Sequence, residues 1–136
     1  MADPIHPIAL DQPPFAHHIG LKIVSATSDL VVAEMVAAPQ LLNRNGVLHG
    51  GALIGLADNI GGTLAMVNLA PGDRTTTMES KTNFYRAVPP GDLIRAEVIP
   101  LHRGRRTMVV QTSIYRSDGK LAAQVTQTQF TLPQED

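Results

Sequence analysis

The run from Gly50 to about Val67, Gly-Gly-Ala-Leu-Ile-Gly-Leu-Ala-Asp-Asn-Ile-Gly-Gly-Thr-Leu-Ala-Met-Val, narrows the possible folds more than any other stretch of the chain. It is interrupted mainly by Asp58 and Asn59, is too long for one ordinary strand, and is rich in Ala, Leu and Met, which predicts a helix. A helix apolar on every side must be covered on most faces. Gly55, Gly61 and Gly62 each cost about 1 kcal/mol relative to alanine in a helix interior, so close packing has to offset them. A curved sheet wrapped around one central helix meets both demands, with small residues where the helix and sheet backbones approach.

The loop before this helix, Asn43-Arg-Asn-Gly-Val-Leu-His49, is polar and ends in Gly50-Gly51. The first turn of a helix presents unpaired N–H groups and the positive end of the helix dipole. Gly50 and Gly51 are expected to leave that turn uncovered by side chains, so that amides from about Gly50 onward reach a carbonyl oxygen and stabilise an oxyanion. Asp58 follows eight residues later, about 12 Å along the axis. One chain therefore does not easily bring both groups to a single carbonyl. If both are catalytic, the Gly50 end of one helix faces Asp58 of a two-fold mate. Structural alternatives stand beside this reading: His49 as a cap or loop residue, and Asp58 as the point where the helix surfaces, since an isolated buried charge is costly.

At 136 residues the chain suits one domain with a real core, preceded by an irregular arm over residues 1–14 that carries prolines at 4, 7, 13 and 14. A formal charge of −1 implies no general affinity for nucleic acid, so an anionic ligand would have to be held by local arginines. The absence of cysteine excludes disulfides, thiolate nucleophiles and cysteine-based metal sites. His17 and His18 are adjacent and point differently on any regular element, which makes them a poor metal pair. Met-Ala-Asp-Pro-Ile-His-Pro lacks the basic start and apolar run of a signal peptide. Asp58 is expected to break the apolar run short of a membrane span, so a cytoplasmic location away from membranes is the default.

Pro14 to Ile19 reads as a short helical turn ended by Gly20. Leu21–Thr27 and Leu30–Ala37 are runs rich in β-branched residues flanking Ser28-Asp29, a hairpin signal. After the central helix, Ala70-Pro71-Gly72-Asp73 marks a stop. Strands are expected over Thr75–Ala87, Asp92 to about Arg103, Arg106–Arg116 and Lys120–Leu132. In the third of these, Met108, Val110, Thr112 and Ile114 share one face. The order of two strands, one helix and four strands predicts an α+β fold in which an antiparallel sheet curls around the helix.

The pattern Asn43-x-x-Gly46-x-x-His49-Gly50-Gly51, with Asp58 nine residues after the histidine, resembles the hotdog-fold acyl-CoA thioesterases of the PaaI-like group. The resemblance spans about Phe15 to Phe130 and implies a hotdog domain over residues 15–132. It further implies hydrolysis of acyl-CoA to a free acid and coenzyme A, with no metal or redox cofactor, in a homodimer at least, and a homotetramer by the group's habit. By the same resemblance, Asn43 and His49 orient or polarise the thioester, the Gly50 amide is the oxyanion donor, and Asp58 of the neighbouring subunit is general base or nucleophile. Thr77, or Thr75 or Thr76 beside it, matches a hydroxyl residue that holds the attacking water. Arg86 matches a common arginine, followed here by Ala87 in place of the group's usual proline. Arg103, Arg105 and Arg106 are candidates for the coenzyme A phosphates, because guanidinium forks suit phosphate oxygens; the alternative is a solvated hairpin tip.

A non-catalytic acyl-CoA binding or sensing module on the same fold is the competing function. Asn43, His49, Gly50 and Asp58 together favour catalysis, since binding alone needs no carboxylate near a thioester carbonyl. A hotdog dehydratase would need a differently placed His and acid pair. No Gly-x-Ser-x-Gly elbow occurs, and the glycines do not follow phosphate-loop or dinucleotide spacing.

Overall fold

The computed structural model describes residues 3–134. A short helix α1 (Pro14–Ile19) leads into β1 (Lys22–Ala26) and β2 (Val31–Val36), then the long helix α2 (Gly50–Asn68), then β3 (Arg74–Phe84), β4 (Leu93–Arg103), β5 (Thr107–Tyr115) and β6 (Leu121–Leu132). The six strands form one sheet in the order β1-β2-β4-β5-β6-β3, with every neighbouring pair antiparallel. This is the hotdog fold, with α2 lying across the sheet.

Local chemistry sets most of these boundaries. Gly20 caps α1 at φ 76°, a left-handed conformation that side-chain-bearing residues avoid. Alternation in β5 places Met108, Val110, Thr112 and Ile114 in the core and leaves the residues between them half-buried, as the sequence predicts. From α2, Leu56, Ile60 and Leu64 sit four residues apart and are fully buried against the sheet. Each contributes about 1.5–3 kcal/mol of apolar burial.

Four expectations change in the light of the structure. First, the sheet covers only part of α2: Gly51, Ile54 and Asp58 stay exposed on the opposite side. Second, only Gly61 answers to close sheet approach, since a Cβ there would lie 2.3 Å from Gln127 Oε1 and 3.3 Å from Val110 Cγ2. Gly55 instead makes room for the Phe15 ring, and nothing lies within 4 Å of the Cβ position at Gly62. Third, α2 is long and apolar enough to span a bilayer by length and composition despite Asp58; its burial under the sheet accounts for that character. Fourth, the N-terminal arm is not wholly irregular. Ile5 bridges Ala26, Pro7–Leu10 form a 3-10 turn, and Ala9 is fully buried.

Strand β3 lies at one edge of the sheet, next to β6. Its register slips between Thr77 and Glu79, a bulge at Met78. Before the bulge Thr77 pairs with Gln129; beyond it Ser80, not Glu79, pairs with Gln127.

Candidate active site

The carboxylate of Asp58 is the centre of the first half of the site. Asp58 surfaces on α2, in keeping with the structural alternative, yet its carboxylate is held firmly. Its Oδ1 accepts a hydrogen bond from the Thr77 hydroxyl at 2.7 Å and another from Gln127 Nε2 at 2.9 Å. Gln129 Nε2 donates to the Thr77 oxygen at 2.8 Å. Of the three candidate threonines, Thr77 is therefore the one joined to Asp58. Thr75 faces the same way and donates to Gln129 Oε1 at 3.1 Å, while Thr76 is exposed. An open cavity of about 610 Å³ adjoins the carboxylate, its wall including Asn59, Thr63, Thr77, Gln129 and Gln12 of the N-terminal arm. Gln12 Oε1 accepts from Asn59 Nδ2 at 2.6 Å, which ties the arm to α2.

The second half is the N-terminus of α2. His49 caps the helix: its Nδ1 accepts the Gly51 N–H at 2.7 Å, so the proton of the neutral ring sits on Nε2. Among the described residues the Gly50 N–H has no hydrogen-bond partner, which leaves it available to a substrate oxygen. The expectation of a bare first turn needs correcting, because the Phe84 ring stands over Gly50 and the His49 ring over Gly51. Asn43 organises the preceding loop, its Oδ1 accepting from Asn45 N at 2.9 Å and Val47 N at 3.3 Å. A cleft of about 330 Å³ brings together Asn43, Gly50, Phe84 and Arg86, whereas His49 lines a neighbouring groove with Phe15 and His18.

The sequence profile of the thioesterase superfamily matches residues 45–123, more than half of the chain. The chain belongs to the thioesterase superfamily. A putative esterase of Haemophilus influenzae is 30% identical over 104 residues, covering 76% of this chain and 75% of that protein. The proofreading thioesterase EntH of Cronobacter turicensis is 29% identical over 103 residues, covering 76% and 74%. Among solved structures, a thioesterase from Haemophilus influenzae superposes with a TM-score of 0.84 at 26% identity, covering 89% of this chain and 84% of that one. A hypothetical thioesterase from Streptococcus pneumoniae, solved with coenzyme A, gives 0.81 at 26% identity, with 90% and 94% covered. The PaaI protein of Escherichia coli shares the fold, with a TM-score of 0.81 at 24% identity over 88% of this chain and 84% of its own.

In this thioesterase the four arginines do not form one group. Arg86 lies at the Gly50 end, where its Nη1 donates to Leu121 O at 2.7 Å. Arg103 lies at the opposite end of α2 and is committed to the fold, donating to Ser28 O and Asp29 Oδ1 at 2.6 Å each and to Asn68 Oδ1 at 3.1 Å. Arg105 and Arg106 border a separate cleft of about 420 Å³ with Asp73 and Phe130. Among the described residues no group of three or more His, Cys, Asp or Glu side chains is placed to hold a metal. The residues that sequence reasoning missed are Gln127 and Gln129. Their signal lay in Val125-Thr-Gln127-Thr-Gln129, where the alternation that buries Val125 also puts two amides on the core-facing side.

Proposed function

We propose that this thioesterase hydrolyses acyl-CoA to a carboxylic acid and coenzyme A in the cytoplasm, at sites shared between two copies of the chain. The observation that carries this reading is the Asp58 carboxylate, fixed by Thr77 and Gln127 at the mouth of a cavity, about 12 Å along α2 from the free Gly50 N–H. Both Thr77 and Gln127 bind Oδ1, so Oδ2 is left to act. In the proposed step, water held by Thr77 gives a proton to Asp58 as its oxygen attacks the thioester carbon. The Gly50 N–H of the mate takes the carbonyl oxygen as its charge develops. His49 Nε2 and the Asn43 amide orient the acyl group or thioester from that same end. Collapse breaks the C–S bond, and the coenzyme A sulfur leaves with the proton. Arg86 is the arginine placed to meet the coenzyme A chain near the Gly50 end, with Arg105 and Arg106 the candidates for its phosphates; Arg103, whose Nε and Nη2 donors are already engaged, is the weakest of the four.

A second copy also has a surface to cover. Gly51, Ile54 and Asp58 on α2, Met78 on β3, and Phe84 and Tyr85 at the end of β3 are all exposed in the single chain. A homodimer formed across this face would set the Gly50 end of one α2 against Asp58 of the other, and two dimers would make the tetramer. The deciding experiment is thiol release from a panel of aryl and aliphatic acyl-CoAs by wild type and Asp58→Asn. Turnover by wild type with a loss of about 10²-fold or more in the variant is expected. Tight acyl-CoA binding with no turnover by either protein would replace this reading with the binding module.

A further inference from the structure

We infer that Gln127 and Gln129 are positioning residues for the reaction. Resting on the thioesterase reading of Asp58 and Thr77, this assigns the two buried amides of β6 to aiming the carboxylate and to deciding which way the Thr77 proton points.

Gln127 and Gln129 are 1% and 2% exposed, on the face of β6 that otherwise carries core residues such as Val125. Polar side chains in that register weaken a core unless every polar atom is satisfied. Gln127 does not meet that condition. Its Nε2 donates to Asp58 Oδ1 at 2.9 Å and to Ser80 Oγ at 3.3 Å, while its Oε1 is buried without a partner. Turning the amide over would set Oε1 against the carboxylate, so Asp58 dictates the orientation and the oxygen bears the cost. That oxygen rests against Gly61, where a Cβ would come within 2.3 Å of it. Packing alone would favour an apolar side chain here, and the amide makes sense as a donor to Asp58.

Gln129 controls polarity. A threonine hydroxyl has one proton and two lone pairs. The Asp58 carboxylate can only accept, so Thr77 spends its proton there and can only accept from Gln129, whose Nε2 faces it at 2.8 Å and occupies one lone pair. Gln129 Oε1 turns the other way, toward the Thr75 hydroxyl at 3.1 Å, which the Phe130 carbonyl at 3.3 Å also draws. One lone pair of Thr77 remains, fit to accept a hydrogen bond from water rather than to donate one. With the amide reversed, Gln129 would take the Thr77 proton for itself and leave Asp58 with Gln127 alone. The β3 bulge completes the arrangement by giving Ser80, not Glu79, to Gln127 as its cross-strand partner. A second carboxylate is thereby kept out of the pair.

The test uses Gln127→Met and Gln129→Met in the full-length protein, with kcat and KM followed across pH. Methionine keeps nearly the same volume and removes the donor. The expected result is a fall in kcat of about 10- to 100-fold for Gln127→Met, the value of one hydrogen bond to a charged group, with KM within about twofold. The acid limb of the kcat profile should move to higher pH, because a donor that favours the carboxylate is gone. Gln129→Met should show the same pattern at smaller amplitude. A folded Gln127→Met with kcat unchanged at every pH overturns the assignment. So does a parallel loss of kcat, substrate affinity and thermal stability with the acid limb unmoved, since a purely structural role predicts that. If the variants do not fold, the side-chain amide resonances of Gln127 in wild type and Asp58→Asn decide: a shift supports the contact and coincident resonances refute it. This last readout holds even if wild type hydrolyses no acyl-CoA, so failure of the brace and failure of the thioesterase reading are told apart.

Discussion

Around Asp58 the hydrogen bonds join side chains on regular elements: Asp58 on α2, Thr77 and Ser80 on β3, Gln127 and Gln129 on β6. Around Gly50 the geometry is set by a loop and a helix cap, with the Asn43 and His49 side chains accepting backbone N–H groups and one N–H left over. The first region is braced from three directions within one chain. The second has its free donor on the first turn of a helix whose companion carboxylate lies about 12 Å away. A group that must move a proton benefits from side chains fixed on rigid elements, whereas an oxyanion donor needs only a backbone amide held still by its cap.

The sharpest way to break this comparison is to disable each end in a different chain. Asp58→Asn and His49→Ala are each expected to lower turnover steeply, the former by about 10²-fold or more. Mixed after subunit exchange, they should recover up to about a quarter of wild-type activity, because half of randomly formed dimers hold one intact site of two. No recovery despite exchange proven by mass spectrometry would put both ends of the site in one chain.

Next in size is Gly61→Ala, which attacks the brace without replacing a polar side chain. Its Cβ would meet Gln127 Oε1 at 2.3 Å, so the amide has to leave its seat. A loss of about 1–3 kcal/mol in stability is expected from overpacking, together with a fall in kcat that Gly62→Ala, where nothing lies within 4 Å, does not share. Equal kinetics for the two variants would show that Gln127 does not depend on Gly61.

Asn43→Ala probes the other end. It removes the acceptor for Asn45 N and Val47 N, at a cost of about 1 kcal/mol measured by denaturant unfolding. KM should rise more than kcat falls, and the reverse split would place Asn43 in the chemical step.

The smallest effect belongs to neither end. Asp118, hydrogen-bonded by Arg116 and by the Lys120 amide in the β5–β6 turn, is held at about 2 against its ordinary 3.8. A lowered carboxylate value stabilises the fold above its unfolded value, and that contribution is lost as pH falls through about 2. Asp118→Asn should therefore leave turnover at neutral pH unchanged, and a carboxyl titration by NMR should place the wild-type midpoint near 2. A midpoint near 3.8 would mean that the Arg116 contact does not form in solution.

Much of this molecule is legible in its residues because local rules act over few positions. The apolar length of Gly50–Val67, the glycine that ends α1, the Ser28-Asp29 hairpin and the alternation of Met108 to Ile114 each depend on neighbours in sequence, and the structure reproduces all four. Expectations went astray where distant segments meet. Gly62 faces open space, Phe84 covers Gly50 from the far end of β3, and Arg103 is spent on Ser28, Asp29 and Asn68. The prolines of the arm predict irregular chain, yet its 3-10 turn and Gln12 find α2 through contacts that no local pattern announces.

By itself the sequence determined the buried helix, the antiparallel strands and the spacing that separates Gly50 from Asp58, because helical rise, strand alternation and turn chemistry are properties of short stretches. Only the tertiary structure decided which groups hold Asp58. That outcome depends on β3 joining β6 at the sheet edge and on a one-residue bulge at Met78. A slip of one residue turns every later side chain to the opposite face of a strand, and here it decides whether Ser80 or Glu79 meets Gln127 beside the carboxylate.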